Sequence, residues 1–158
     1  MARNERYIPV SPGSVFEVLA DARQYGYVVA GSKEIRDSDP RWPRKGAKFH
    51  HTVGYGPLNV KDTTHVVDVD PPQMLRVIAS AMPLGKAEVT FELEEENGGT
   101  RVTLVEDPVV PKVVYPLTPP VHVFTRLRNR ETLRRLAEVA EASPAERERI
   151  ARQEGSAD

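Results

Sequence analysis

From residue 47 onward, apolar and polar residues alternate with a period of two. Phe49, His51, Val53 and Tyr55 alternate with Lys48, His50, Thr52 and Gly54. Leu58, Val60, Asp62, Thr64 and Val66 alternate with Asn59, Lys61, Thr63 and His65, and Leu75, Val77, Ala79 and Ala81 continue the pattern over 73–82. The clearest run sets Ala87, Val89, Phe91 and Leu93 against Glu88, Thr90, Glu92 and Glu94, and Val102, Leu104 and Glu106 follow against Arg101, Thr103 and Val105. Successive side chains on a strand point to opposite faces, so each run predicts a strand with one face toward a core. Gly56-Pro57, Asp70-Pro71-Pro72, Pro83-Leu84-Gly85 and Asn97-Gly98-Gly99 separate the runs. Proline cannot donate to a ladder and Asn-Gly favours tight hairpins, so these words are turns and the strands meander.

The flanking segments predict helices. Tyr7, Ile8 and Val10 predict a first strand over 3–10, and Ser11-Pro12 supplies an N-cap and a first-turn proline. Val15, Phe16, Val18, Leu19 and Ala22 then predict a short amphipathic helix over 12–24. Tyr25–Gly31 reads as a half-turn and connector, 32–37 as a short strand, and 37–45 as a turn-rich loop around Trp42, the only tryptophan. At the other end, Thr118-Pro119 opens a helix that nothing interrupts before Ser143-Pro144. At 1.5 Å per residue it extends roughly 36 Å. Its inner stripe takes in His122, Arg126, Asn129, Leu133, Leu136, Ala137 and Ala140, polar in the first half and apolar in the second. Ser143-Pro144-Ala145-Glu146 is a capping box that starts a short charged helix over 144–153.

The order strand, small helix, strands, long helix predicts an α+β architecture. A curved antiparallel sheet of six to seven strands would wrap one long C-terminal helix, with a small helical segment after strand 1. Residues 1–142 form the domain and 143–158 a charged appendage. The segments Val10–Asp21, Gly54–Leu58, Asp70–Pro72 and Gly98–Thr103 resemble the START-related, Bet v 1-like (SRPBCC) superfamily, in its bacterial polyketide cyclase/dehydrase-type branch. The resemblance spans about residues 5–142, and these words mark turns and element boundaries rather than catalytic groups. It implies the helix-grip fold and a hydrophobic ligand held between sheet and long helix. Some members cyclise or dehydrate polyketides and others only bind. The chain departs from the pattern after the first helix, where Gly26-Tyr27 stands in place of a common Pro-Trp pair.

Composition narrows the chemistry. The 158 residues include 14 Pro and 10 Gly but no Cys, which removes disulfides, thiolate metal sites and thiol catalysis. A formal charge of −1 gives no net attraction to nucleic acid or anionic membrane. The chain has no apolar run near the ~18–20 residues of a spanning helix. Its start, Met1–Arg6, is polar. A cytoplasmic monomer or homodimer is expected, with no metal, no cofactor and no membrane insertion. Arg126, Arg128, Arg130, Arg134 and Arg135 surround the long helix among glutamates and read as a solvated flank.

Alternation puts His51, Asp62, Thr64 and Glu106 on the apolar face, with Val53, Tyr55 and Phe91 beside them and His122, Arg126 and Asn129 facing from the helix. An apolar wall with a few convergent polar groups is the pattern of a ligand site. For catalysis, His51 is a candidate general base, Asp62 or Glu106 its orienting group or an acid, and Arg126 a clamp for an enolate oxygen. The same groups also suit a buried ion pair, Glu106 or Asp62 with Arg126, that fixes the helix on the sheet. Three functions stay open: a binding module for a hydrophobic, polycyclic or polyketide-like molecule; a cyclase or dehydrase without metal or redox cofactor; and sequestration of a toxic natural product.

Overall fold

Ser11 and Asp21 decide how the chain leaves its first strand. After β1 (Ala2–Ile8), the Ser11 hydroxyl accepts from the Ser14 amide at 3.2 Å and starts α1 (Pro12–Ala20). At Asp21 the backbone turns extended, and its carboxylate accepts from the Arg23 amide at 2.9 Å, opening α2 (Ala22–Val28). The single helix expected over 12–24 is therefore two, because an aspartate cap competes with helix continuation. The computed structural model describes residues 1–29, 32–55, 57–81, 85–109 and 119–154.

The meander follows as β2 (Ser32–Ser38), β3 (Lys48–Tyr55), β4 (Leu58–Asp70), β5 (Met74–Ala81), β6 (Gly85–Glu96) and β7 (Gly99–Pro108). All pairs are antiparallel in one sheet of order β1-β7-β6-β5-β4-β3-β2, so the α1–α2 connection crosses from one edge to the other. Asn97 and Gly98 both take positive φ (49° and 76°), closing a two-residue turn with Glu96 opposite Gly99. Gly99 is fixed for a different reason: a Cβ there would lie 2.6 Å from the Ile8 carbonyl oxygen. Register shifts between Val66 and Asp68, and within β2, bend the strands they interrupt. The seven strands and their alternation match the sequence expectation.

The long helix is α3 (Pro119–Glu141), and its expected cap, Thr118, lies outside the described residues. It runs against β1 and β7 and is flanked by α1 and α2. Val15, Val18, Leu19 and Val28 join Leu75, Leu93, Val102, Leu133, Leu136 and Val139 in one buried cluster. The charged tail is α4 (Pro144–Glu154), which lies on α2 with Ala151 buried. Its capping box is present, Ser143 N–H donating to Glu146 at 2.8 Å. Arg147 donates to the carbonyls of Val139 and Ala140 at 2.9 and 2.8 Å, satisfying the last turn of α3. Among the described residues no helix is long and apolar enough to cross a membrane.

Candidate functional site

Two rows of the sheet carry its interior polar groups. His51 on β3 stands directly opposite Asp62 on β4. The His51 Nε2 lies 3.3 Å from Asp62 Oδ2 and 3.5 Å from Thr64 Oγ1. The other Asp62 oxygen accepts from the Ser80 amide at 2.9 Å. All three side chains are buried, and the Phe49 ring sits 4.6 Å from the imidazole. Period-two alternation explains this placement, since Phe49, His51 and Val53 on β3 share the core face. His50, one residue away, faces outward and pairs with Thr63 at 3.0 Å.

The second row belongs to β7. Glu106, opposite Val89 and Ala2, is buried and takes a charge-assisted hydrogen bond from Arg128 of α3. The Arg128 side chain keeps 23% of its surface exposed, against 10% for Glu106. Between the rows stands Tyr25 of α2. Its ring packs edge-on to Trp42, Phe49 and Phe91 at 5.2, 5.6 and 6.1 Å. Burial, then the charges of Asp62 and Glu106, hold the Tyr25 phenol protonated well above its usual range, with Arg128 opposing them. Trp42 is itself buried and donates from its indole N–H to the Leu19 carbonyl at 3.0 Å. Its loop is thereby anchored to the core.

The interior thus gathers His51, Asp62, Thr64, Glu106 and Asn129, with Val53 and Phe91 buried beside them. The Tyr55 side chain lies outside the described residues. His122 is half-buried, and Arg126 is exposed, its carbonyl accepting from Asn4 Nδ2 at 3.2 Å. The expected Glu106–Arg126 pair is corrected to Glu106–Arg128. Two residues on a helix turn the side chain by about 200°, so the length of an arginine and the carboxylate's position select the flank rather than the stripe. Sequence reasoning missed Tyr25 and Arg128. Tyr25 falls in Ala22–Val28, whose start at the Asp21 cap is visible only in the backbone.

Chemically, the cluster offers an imidazole held beside a carboxylate, a second carboxylate bonded to a guanidinium, and a protonated phenol. Among the described residues no group of three or more His, Asp or Glu is placed to hold a metal ion. In the N-terminal half of α3, Val123, Phe124 and Leu127 are each more than half exposed.

Comparison with known proteins agrees with this architecture. The profile of the family described as Activator of Hsp90 ATPase homolog 1-like protein matches residues 9–141. No curated protein matches the chain significantly. Among solved structures, Ms6760 from Mycobacterium smegmatis is 14% identical with a TM-score of 0.69, over 89% of this chain and 90% of that one. Ara h 8.0201 is 13% identical with a TM-score of 0.60, over 87% and 95%. DynU16, a protein of the dynemicin biosynthetic locus, is 17% identical with a TM-score of 0.63, over 89% of this chain but 47% of its own. These likenesses show the helix-grip fold, and the expected resemblance to the SRPBCC superfamily is borne out.

Proposed function

Because the chain belongs to the Activator of Hsp90 ATPase homolog 1-like family, within a superfamily whose members bind hydrophobic ligands, we propose that it binds a hydrophobic small molecule between the sheet and α3. The observation that carries this reading is the buried cluster of His51, Asp62, Thr64 and Glu106 set in apolar and aromatic walls. A fold needs no such cluster for stability, since replacing a buried ion pair by packed apolar residues is often neutral or stabilising. Convergent polar groups in an apolar interior are what orient a ligand. That a fold neighbour belongs to the dynemicin biosynthetic locus supports extending the ligand class to polycyclic, polyketide-like compounds.

The test is a titration with N-phenyl-1-naphthylamine, a neutral dye that brightens in apolar surroundings. Saturable enhancement at one dye per chain is expected, and Thr64→Trp, which fills the interior beside His51, should abolish it while the domain stays folded. Enhancement that survives Thr64→Trp would place the dye elsewhere and contradict the proposal. The His51–Asp62 contact of 3.3 Å favours a second reading, a cyclase or dehydrase in which the carboxylate orients His51 as general base. A poly-β-ketone substrate turned over by wild type but not by His51→Gln would establish it. Binding of that substrate without product would leave binding as the activity.

A further inference from the structure

We infer that the interior selects an uncharged apolar ligand bearing an acceptor oxygen, such as a ketone, quinone or ether, and that Asn129 reads that oxygen. The inference rests on the binding reading above and adds the chemistry of what is bound. Asn129 lies on the inward stripe of α3, one turn before Leu133, and is 2% exposed. Its Nδ2 is buried and has no hydrogen-bond partner. An amide donor stripped of water and left unpaired bears its full desolvation cost, and buried polar groups in folded proteins are nearly always paired. A ligand oxygen that accepts from Nδ2 removes that cost. A pure hydrocarbon in the same place does not.

Charge excludes the other common class of apolar ligand. The charges acting on Tyr25, at the centre of the cluster, are the carboxylates of Asp62 and Glu106 and the guanidinium of Arg128. Arg128 is already committed to Glu106. Asp62 is satisfied by the Ser80 amide and by the neighbouring His51. An incoming carboxylate or phosphate would therefore meet the buried carboxylates of Asp62 and Glu106, with the Arg128 guanidinium already engaged. Like charges interact strongly where water is excluded. Fatty acids and acyl phosphates are thus disfavoured, whereas a neutral carbonyl compound is accepted.

Three probes on one ring system separate these possibilities: 2-acetylnaphthalene, 2-ethylnaphthalene and 2-naphthoate, each titrated calorimetrically into the full chain. Wild type should bind the ketone about tenfold or more tighter than the hydrocarbon and the anion, the scale set by one hydrogen bond to a buried donor. In Asn129→Leu the ketone should fall to the affinity of 2-ethylnaphthalene, whose own affinity should not drop. Asn129→Ala carries the same expectation if the leucine variant does not fold. Equal or tighter binding of 2-naphthoate by wild type would overturn the charge argument. A ketone preference that survives loss of Asn129 would overturn its role as reader. If none of the three probes binds wild type, the binding proposal itself falls, an outcome distinct from binding without preference.

Discussion

The interior has two ends of opposite character. At one, α1 and α2 close against α3, and Val15, Leu19, Leu75, Leu93, Val102, Leu133 and Leu136 bury apolar surface with almost no polar atom among them. At the other, His51 of β3, Asp62 and Thr64 of β4 and Glu106 of β7 are buried on the inward face of the sheet, with Glu106 bonded to Arg128 of α3. The first end has a sufficient physical reason to exist, since burial of its side chains drives folding. The second holds titratable groups where leucines would fold as well. What it gains must be sought in what it binds.

That contrast can be broken at either end. The largest effect is expected at the closed end: Leu136→Ala should cost about 2–5 kcal/mol in urea unfolding, as cavities in packed cores do, with little change in the dye affinity of the folded protein. At the polar end, Glu106→Gln should cost less, about 1–3 kcal/mol, because the Arg128 side chain it strands is 23% exposed. Replacing both partners by leucine should restore stability to within about 1 kcal/mol of wild type. A double variant that remains destabilised as much as the single one would make the pair a structural element.

Tyr25 gives a smaller effect with a clear sign. Its phenol is raised in the folded state by burial first and by Asp62 and Glu106 next. The stability this represents is fully present below the unfolded phenol value of about 10. It is lost as pH rises from there toward the folded value. Wild type should therefore lose stability more steeply than Tyr25→Phe above that pH, followed by unfolding curves and phenolate absorbance at 295 nm. Equal slopes would mean that Tyr25 is not held protonated. The smallest effect belongs to neither end. Glu131, bonded to Arg134 and Arg135 on the outer flank of α3, is held down to about 2. Glu131→Gln should cost no more than about 0.5 kcal/mol at neutral pH, since exposed pairs are screened. The difference should vanish as pH falls from the unfolded carboxylate range toward 2.

The two ends also differed in how legible they were. Strand alternation admits only two phases, and apolar neighbours such as Phe49, Val53, Val66 and Leu104 select one. His51, Asp62, Thr64 and Glu106 were therefore placed inside from the sequence. A helix has a continuous phase, and only its C-terminal half carries apolar markers, Leu133 through Ala140. Carried back about two turns from Leu133, that phase reaches Asn129 but selects Arg126 over Arg128. Tyr25 lay in Tyr25-Gly26-Tyr27-Val28, where glycine and a β-branched residue weaken any helical signal. Its helix is set by tertiary packing of the ring among Trp42, Phe49 and Phe91. The hairpin at Asn97-Gly98 was legible because its turn type demands those residues. The split at Asp21 was not, because an aspartate in a helical run announces a cap only when the backbone there is known.

The central claim, that the polar end is a ligand site and the apolar end is not, is tested most directly by an amide-resolved NMR titration with 2-acetylnaphthalene. Saturable one-to-one shifts are expected, concentrated on His51, Asp62, Thr64, Glu106, Arg128 and Asn129, with Leu136 to Ala140 unmoved. Shifts that never saturate, or that centre on the closed end or the outer face of the sheet, would contradict it.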